Sequence, residues 1–373
     1  MKATFLLSKD PSRESTGDMT MAKLAIDLAA QSYETAVICL SQAEAGAPVP
    51  AGLQRVPKPP PKPLPVVGKS IRRNRSLLHA RFVVPELIDA VDRADTDIFV
   101  ADHCYMAEAV LDSRRFASAA RPAEMLAVST VVPEALVWRA TRGVIGRLEG
   151  PRIIRDEIRV AKSAYTVGTY DRDEADFYLD KGIQRAHWLD LTLPANTKVD
   201  VGAAGRRLLF LGDRRWAPNQ EAYLELLTMW PDIARGIEGA ELAIVGAADP
   251  NAERPALPDG VTDYGFVDDL DAFLATCRAV VAPIRTGGGV RVKILDTVSR
   301  GMPVVGTSQA VGSLGEVLGM RTFDERAELV EQSRRFLLDA QFARSEGDAL
   351  YTTNRHRWDE GVPHASVERW LKP

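Results

Sequence analysis

Between Arg278 and Thr307 the sequence RAVVAPIRTGGGVRVKILDTVSRGMPVVGT sets three consecutive glycines beside two cations and a carboxylate. Gly287, Gly288 and Gly289 carry no Cβ and adopt positive φ readily, so backbone amides there can approach an anion closely. A helix expected over 290–300 follows, and its amino end adds the partial positive charge of aligned peptide dipoles. Arg291 and Lys293 fall in its first turn, where cations oppose the dipole and weaken the helix unless an anion sits nearby. Their position therefore points to a bound diphosphate. Asp296 lies one turn on, sharing a face with Lys293 and Arg300, while Ile294, Leu295 and Val298 face inward. A cation for phosphate and a carboxylate for sugar hydroxyls make a contact pair for a nucleotide sugar. A plain glycine loop before an amphipathic surface helix is the blander reading of the same residues.

These residues need strands to carry them. Short apolar runs alternate with amphipathic stretches, the pattern of doubly wound α/β domains, and the alternation occurs twice. Strands are expected over 3–7, 36–40, 98–101, 125–129 and 165–167, then over 207–211, 241–245, 261–264, 279–282 and 303–305. Helices are expected over 20–31, 105–115 and 152–161, from Pro218 to a stop near Trp230, and through 324–350. The turn-rich stretch DLTLPANTKVDVGAAG at 190–205 is the expected linker.

Composition narrows the class. The chain has 373 residues, 46% of them hydrophobic, enough for two cores. A formal net charge of −4 argues against a nucleic-acid binder. Cys39, Cys104 and Cys277 lie far apart in apolar surroundings and form no metal or disulfide pattern, so buried thiols are expected. The start MKATFLLSKD turns charged too soon for a signal peptide, and no long apolar run exists, so a cytoplasmic protein is expected. One segment reverses the local charge. Between Glu44 and Glu86 there is no acid, while Arg55, Lys58, Lys62, Lys69, Arg72, Arg73, Arg75 and Arg81 are cationic. The prolines at 57, 59, 60, 61, 63 and 65 make its first half an expected extended loop. The basic 55–81 segment suits an anionic membrane surface, which would place the protein peripherally on the inner face of the cell membrane, or the phosphate of a lipid-linked acceptor, or it is merely a solvated insertion.

LLFLGDRRWAPNQEAYLEL, ELAIVGA, VTDYGFVDDLDAFLATCRAVVAPI and GGGVRVKILDTVSRGMPVVGTSQAVGSL follow one another in the order of the donor-domain segments they resemble. The family resembled is glycosyltransferase family four (group 1), retaining enzymes of the GT-B fold. DIFVADHCYMAEAVLDSRR, VPEALVWRATR and AYTVGTYDRDEADFY resemble acceptor-domain segments more loosely. The resemblance implies an α/β protein of two facing Rossmann-like domains, mostly parallel sheets with helices on both faces. It implies an acceptor-side domain at 1–195, a donor-binding domain at 205–351, and a last helix at about 352–373 packing back on the first.

By the same resemblance Arg214 or Arg215 and Lys293 contact the donor diphosphate, and Gly287, Gly288 and Gly289 supply amides. Backbone near Phe266 and Val267 binds the base, and Asp296 binds ribose hydroxyls. Gly17, in SRESTGDMTM, resembles the glycine loop beside the donor phosphates, or is a plain turn. The family usually has Glu where Asp296 stands and a second Glu where Gly288 stands, so the motif is degenerate here. His103, just past a buried strand, is the candidate sugar-contacting residue and, with Asp296, the candidate catalytic pair. The family's neighbouring histidine is Val100 here, and a later one is replaced around Ser129 and Thr130.

The implied activity is metal-independent transfer of a hexose from a nucleoside-diphosphate sugar, a co-substrate with no further cofactor, to a glycan or lipid-linked acceptor in polysaccharide biosynthesis. Three Asp-x-Asp matches, at Asp95, Asp171 and Asp269, read as a strand approach and two helix caps instead of metal ligands. Two alternatives stand beside it: a sugar-nucleotide epimerase of the same fold, which needs an acid/base partner for His103, and a non-catalytic nucleotide-sugar-binding subunit.

Overall fold

The computed structural model describes residues 1–14, 16–44, 46–60, 62–252 and 255–372. Ser15 of the SRESTGDMTM segment, Pro61 of the basic segment and Pro373, the end of the stretch expected as the last helix, lie outside the described residues. The chain forms two compact units: Met1–Leu191 with Val362–Pro373, and Thr192–Gly361.

The first unit is built on β1 (Lys2–Leu7), β2 (Glu34–Ser41), β3 (Leu53–Pro57), β4 (Ile98–Asp102), β5 (Leu126–Thr130), β6 (Thr166–Thr169) and β7 (Ala186–Trp188). They pair in the order β3-β2-β1-β4-β5-β6-β7, every pair parallel. The second is built on β8 (Arg207–Leu211), β9 (Glu241–Val245), β10 (Val261–Gly265), β11 (Ala279–Ala282) and β12 (Val304–Gly306), in the order β10-β9-β8-β11-β12, again all parallel. Central strands β4 and β5 are buried at every position, as apolar runs covered on both faces must be. Each order reverses once, between β1 and β4 and between β8 and β11. At such a point the connections leave the strands' carboxyl ends in opposite directions and open a crevice. The segments after β1 and β4 carry Gly17 and His103; those after β8 and β11 carry the Asp213–Trp216 turn and the three glycines.

Several expectations need correcting. The proline-rich part of the basic segment is not one extended loop: it holds β3 and then the helix Pro63–Arg73. Pro63 and Pro65 sit in that helix's first turn, where a missing N–H costs nothing and the fixed φ suits the helix. The helix expected at 105–115 is broken into a 3-10 turn at Cys104–Ala107 and helices Glu108–Leu111 and Arg114–Ser118, because Ser113 caps the last piece by accepting from the Phe116 amide. Pro231 does not stop the helix Ala217–Ala234; Arg334 donates to the carbonyls of Asp232, Ile233 and Arg235 near its end. Most of the expected linker is packed on the second unit: Asn196 and Val199 amides donate to Ser299 and Arg300 carbonyls, and Trp358 Nε1 donates to Thr192.

The chain returns to the first unit at Val362, later than 352, since the helix Ala340–Asp359 runs on unbroken and ends before Gly361 at a φ of 71°. The last helix, Val362–Leu371, then buries Trp370 against β6. A Cβ at Gly168 would stand 2.9 Å from Trp370, so that strand needs glycine there. All three cysteines are buried thiols. Among the described residues no helix is long and apolar enough to cross a membrane.

Candidate functional site

In the second unit the turns after β8, β9 and β11 crowd together. Gly212 donates its amide to Val245, and a Cβ on Gly246, at φ 124°, would lie 2.1 Å from the Gly212 carbonyl oxygen. Glycine alone permits that approach. Asn219, in the first turn of the helix after β8, holds the Asp213 carbonyl at 2.7 Å, and the Trp216 ring stands 3.4 Å from where a Gly287 Cβ would be. Gly287 and Gly289 take φ of 109° and 77°. Their carbonyls are held by Gln309 Nε2 at 2.6 Å and Arg291 Nη1 at 2.7 Å. Among the described residues the Gly287 and Gly288 amides donate to no protein acceptor.

The helix behind this turn runs Val292–Ser299, two residues shorter at its start than expected. Arg291 stands at its N-cap and folds back on Gly289 and Gln309, so its charge fastens the glycine turn. Lys293 behaves differently. Among the described residues its buried Nζ has no hydrogen-bond partner, and it reaches to within 3.1 Å of a Cβ position on Gly212. Burial pushes this ammonium down to about 8, against the opposing pull of the Asp213 charge. Lys293 is thus a buried cation, without a hydrogen-bond partner among the described residues, between a glycine turn and a helix amino end.

The other expected cations are already engaged. Arg214 is buried, forks onto Asp263 at 2.7 and 2.9 Å and lies over the Tyr223 ring. With Tyr223, Asp249, Leu257 and Asp263 it lines a recess of about 250 Å³ to which Lys293 does not contribute. Arg215 is exposed and paired with Asp213. Asp296 is held by Arg300, one turn along as its spacing requires, and Arg300 also binds Asp271 at 2.6 Å. Phe266 and Val267 lie just past β10; the Phe266 ring is 85% exposed, and no hydrogen bond or ring contact ties it to the Lys293 pocket among the described residues.

The first unit gathers a second cluster. His103 follows β4 with φ 72° and ψ 139°, a strained conformation for a non-glycine residue, and its amide donates to Ser129. Its buried ring stacks on Tyr105, with Nδ1 at 3.0 Å from Glu134 and Nε2 at 3.9 Å from Asp18. Gly17 opens the helix that carries Asp18, so the glycine loop and the histidine do meet. Burial opposes the charge on His103, but Asp18, Glu134 and Asp102 outweigh it and raise the imidazole to about 10. At neutral pH it is an imidazolium, able to donate hydrogen bonds and unable to serve as a base. Burial also pushes Asp102 up to about 6 and Glu157 up to about 8. Asp171 and Asp269 accept from amides at the starts of their helices.

Sequence reasoning passed over Asp18, Glu134, Trp216, Asn219 and Gln309. Asp18 was signalled by lying next to Gly17, and Trp216 and Asn219 by flanking the proline of WAPN. Glu134 and Gln309 carried no local signal, since only the fold brings them near.

Two parallel sheets, each with polar and glycine-rich turns gathered at its switch point, define a protein of two Rossmann-like domains, the second with a buried ammonium beside a glycine turn. Residues 205–339 match the family model described as glycosyl transferases group 1. The second unit thus holds a group 1 glycosyltransferase domain, and the protein is a glycosyltransferase of the GT-B fold. Among solved structures the chain resembles sucrose-phosphate synthase from Thermosynechococcus elongatus, at 15% identity and TM-score 0.68, covering 97% of this chain and 96% of that one. It also resembles WaaG, a glycosyltransferase involved in lipopolysaccharide biosynthesis, at 14% identity and TM-score 0.63, covering 100% of both chains. The third is Anabaena HepE in complex with UDP and glucose, at 13% identity and TM-score 0.66, covering 98% of both. No curated protein matches the chain.

Proposed function

We propose that this protein is a retaining glycosyltransferase that moves a hexose from a nucleoside-diphosphate sugar to a glycan or lipid-linked acceptor in polysaccharide biosynthesis, without a metal ion. The buried, unpartnered Lys293 ammonium beside the Gly287–Gly288 amides carries this reading. A departing nucleoside diphosphate gathers negative charge, and preorganised cations and amides stabilise it where it forms. The bond from the anomeric carbon to the diphosphate oxygen breaks as the acceptor oxygen bonds to the same face, and the acceptor proton passes to the departing phosphate oxygen. His103, held as an imidazolium, donates to a sugar hydroxyl. Asp296 accepts from the ribose, and backbone near Phe266 and Val267 meets the base. Gly17 lies beside the phosphates. Structures of HepE with UDP and with UDP-glucose support a nucleotide-sugar donor.

A thermal-shift panel of uridine, guanosine and adenosine diphosphate sugars, with and without a chelator, identifies the donor. Turnover unaffected by chelation is the expected result, and an inverted linkage in the product rejects the retaining assignment.

The carboxylates around His103 favour one other reading, a sugar-nucleotide epimerase, because Asp18 and Glu134 supply the partner such chemistry needs. Conversion of the donor with no acceptor present distinguishes it. The protein's place is the cytoplasm, peripheral on the inner face of the cell membrane.

A further inference from the structure

Lys9 is the second residue past β1, at the carboxyl end of the first sheet. Its ammonium donates to Asp18 Oδ2 at 2.7 Å and to Thr16 Oγ1 at 3.2 Å, both at the start of the helix Gly17–Ala29. The residue before it is tied down twice. Lys58 Nζ donates to the Ser8 carbonyl at 2.7 Å, and the Tyr105 hydroxyl donates to Ser8 Oγ at 3.4 Å. Lys9 therefore reaches Asp18 from a fixed base.

The same Asp18 oxygen lies 3.9 Å from His103 Nε2. At that distance it counters the imidazolium charge but accepts no hydrogen bond. Among the described residues Nε2 is buried without a hydrogen-bond partner. The imidazole is not placed to close the gap itself: its ring stacks on Tyr105 at 4.9 Å, Tyr105 stacks on Phe82 at 4.1 Å, and Nδ1 is paired with Glu134. Its backbone is fixed at a φ of 72°. Asp18 is the movable partner, since an aspartate on a helix's first turn can change rotamer. Burial works against the Asp18 charge, yet the cations of His103 and Lys9 on either side hold its carboxyl well below the usual carboxylate range. An ionised carboxylate this close to a buried imidazolium is drawn onto it unless something else holds it. Lys9 is what holds it.

We propose that Lys9 is a positioning residue for the transfer reaction: by keeping the Asp18 carboxylate on its own ammonium, it leaves the His103 Nε2 proton available to a sugar hydroxyl. Charges of alternating sign, Lys9, Asp18, His103 and Glu134, thus serve two ends at once. The carboxylates keep the histidine protonated, and the lysine stops one of them from consuming the proton they retain. The inference rests on the sugar contact read for His103 above.

Selective 15N labelling of the five histidines, with His103→Asn to identify the resonance, reads the Nε2 proton of the free protein and needs no ligand. The expected result for Lys9→Met is a downfield shift of that proton as Asp18 accepts it, with melting changed little. Titration with UDP and with UDP-glucose reads the consequence. Lys9→Met loses about tenfold of the affinity that the glucose adds, while UDP itself binds within about twofold of the parent protein. Lys9→Arg, which still holds the carboxylate, retains the glucose increment. Lys9→Met with Asp18→Ala regains most of it, because no carboxylate is left at that position to close on Nε2. An unmoved proton in Lys9→Met overturns the inference. So does equal weakening of UDP and UDP-glucose, which makes Lys9 a support of its loop and nothing more. A shifted proton together with a glucose increment that His103→Asn leaves intact supports the hold of Lys9 on Asp18 and overturns instead the sugar contact read for His103.

Discussion

His103 and Lys293 stand at corresponding places, each beyond a central strand where its sheet changes direction, and their surroundings are opposite. His103 lies among Asp18, Glu134 and Asp102, which hold its proton. Among the described residues Lys293 has no hydrogen-bond partner, and burial loosens its proton. The first cluster supplies its own counter-charges and so can present a fixed donor to a neutral sugar. The second leaves a buried ammonium without a hydrogen-bond partner among the described residues, a need that a bound diphosphate meets on the reading proposed above. On that reading, binding at Lys293 relieves a penalty already present in the folded protein and so favours a diphosphate over a neutral ligand.

The largest effect expected to break this contrast is Lys293→Met. It weakens nucleoside-diphosphate binding on the order of 100-fold or more, yet it raises stability near neutral pH by roughly 2–4 kcal/mol because a desolvated charge is removed. Titration calorimetry and thermal melting check both halves, and a lower melting temperature would mean that Lys293 has a partner in the free protein. His103→Asn comes next. Asparagine tolerates the positive φ, but Asp18 and Glu134 lose their cation at a cost of about 3 kcal/mol. Turnover is lost while diphosphate affinity stays within about threefold.

Stability against pH sharpens the comparison through its signs. The His103 contribution is complete below the unfolded histidine value near 6.5 and is lost as pH climbs towards about 10. The Lys293 penalty runs the other way: the unfolded chain binds more protons between about 8 and 10.5, so stability rises across that window. Melting curves of the two variants should lose slopes of opposite sign. In activity, kcat/KM falls above about 8 as free Lys293 deprotonates, and bound diphosphate moves the corresponding limb of kcat to higher pH. The smallest effect belongs to Asp296→Asn. Arg300 keeps Asp271, so the fold holds, and discrimination between ribose and deoxyribose diphosphates drops by about fivefold.

Much of the second unit was legible in the sequence. Its five strands are short apolar runs between glycine- and proline-rich turns, and local chemistry set the Asp269 cap and the pairing of Asp296 with Arg300 four residues on. The first unit was harder to read. Pro63 and Pro65 stand equally well in an extended loop or in a helix's first turn, and the ties that go with the helix, Arg152 to Ser70 and Arg155 to Asn74, come from residues about 80 positions away. The short β3 and β7 carry too little apolar pattern to stand out from turns.

By itself, then, the sequence determined the parallel α/β alternation, the glycine turn after β11 and the cations near it, because these depend on residues close together in the chain. Tertiary structure alone decided which of those cations is left unpaired. Arg214 is claimed by Asp263 and Arg291 by carbonyls at Gly289 and Gln309, while Lys293 is enclosed with no hydrogen-bond partner. Charge neutralisation and desolvation depend on distance in space, and residues tens of positions apart settle them only when the sheets bring those residues together.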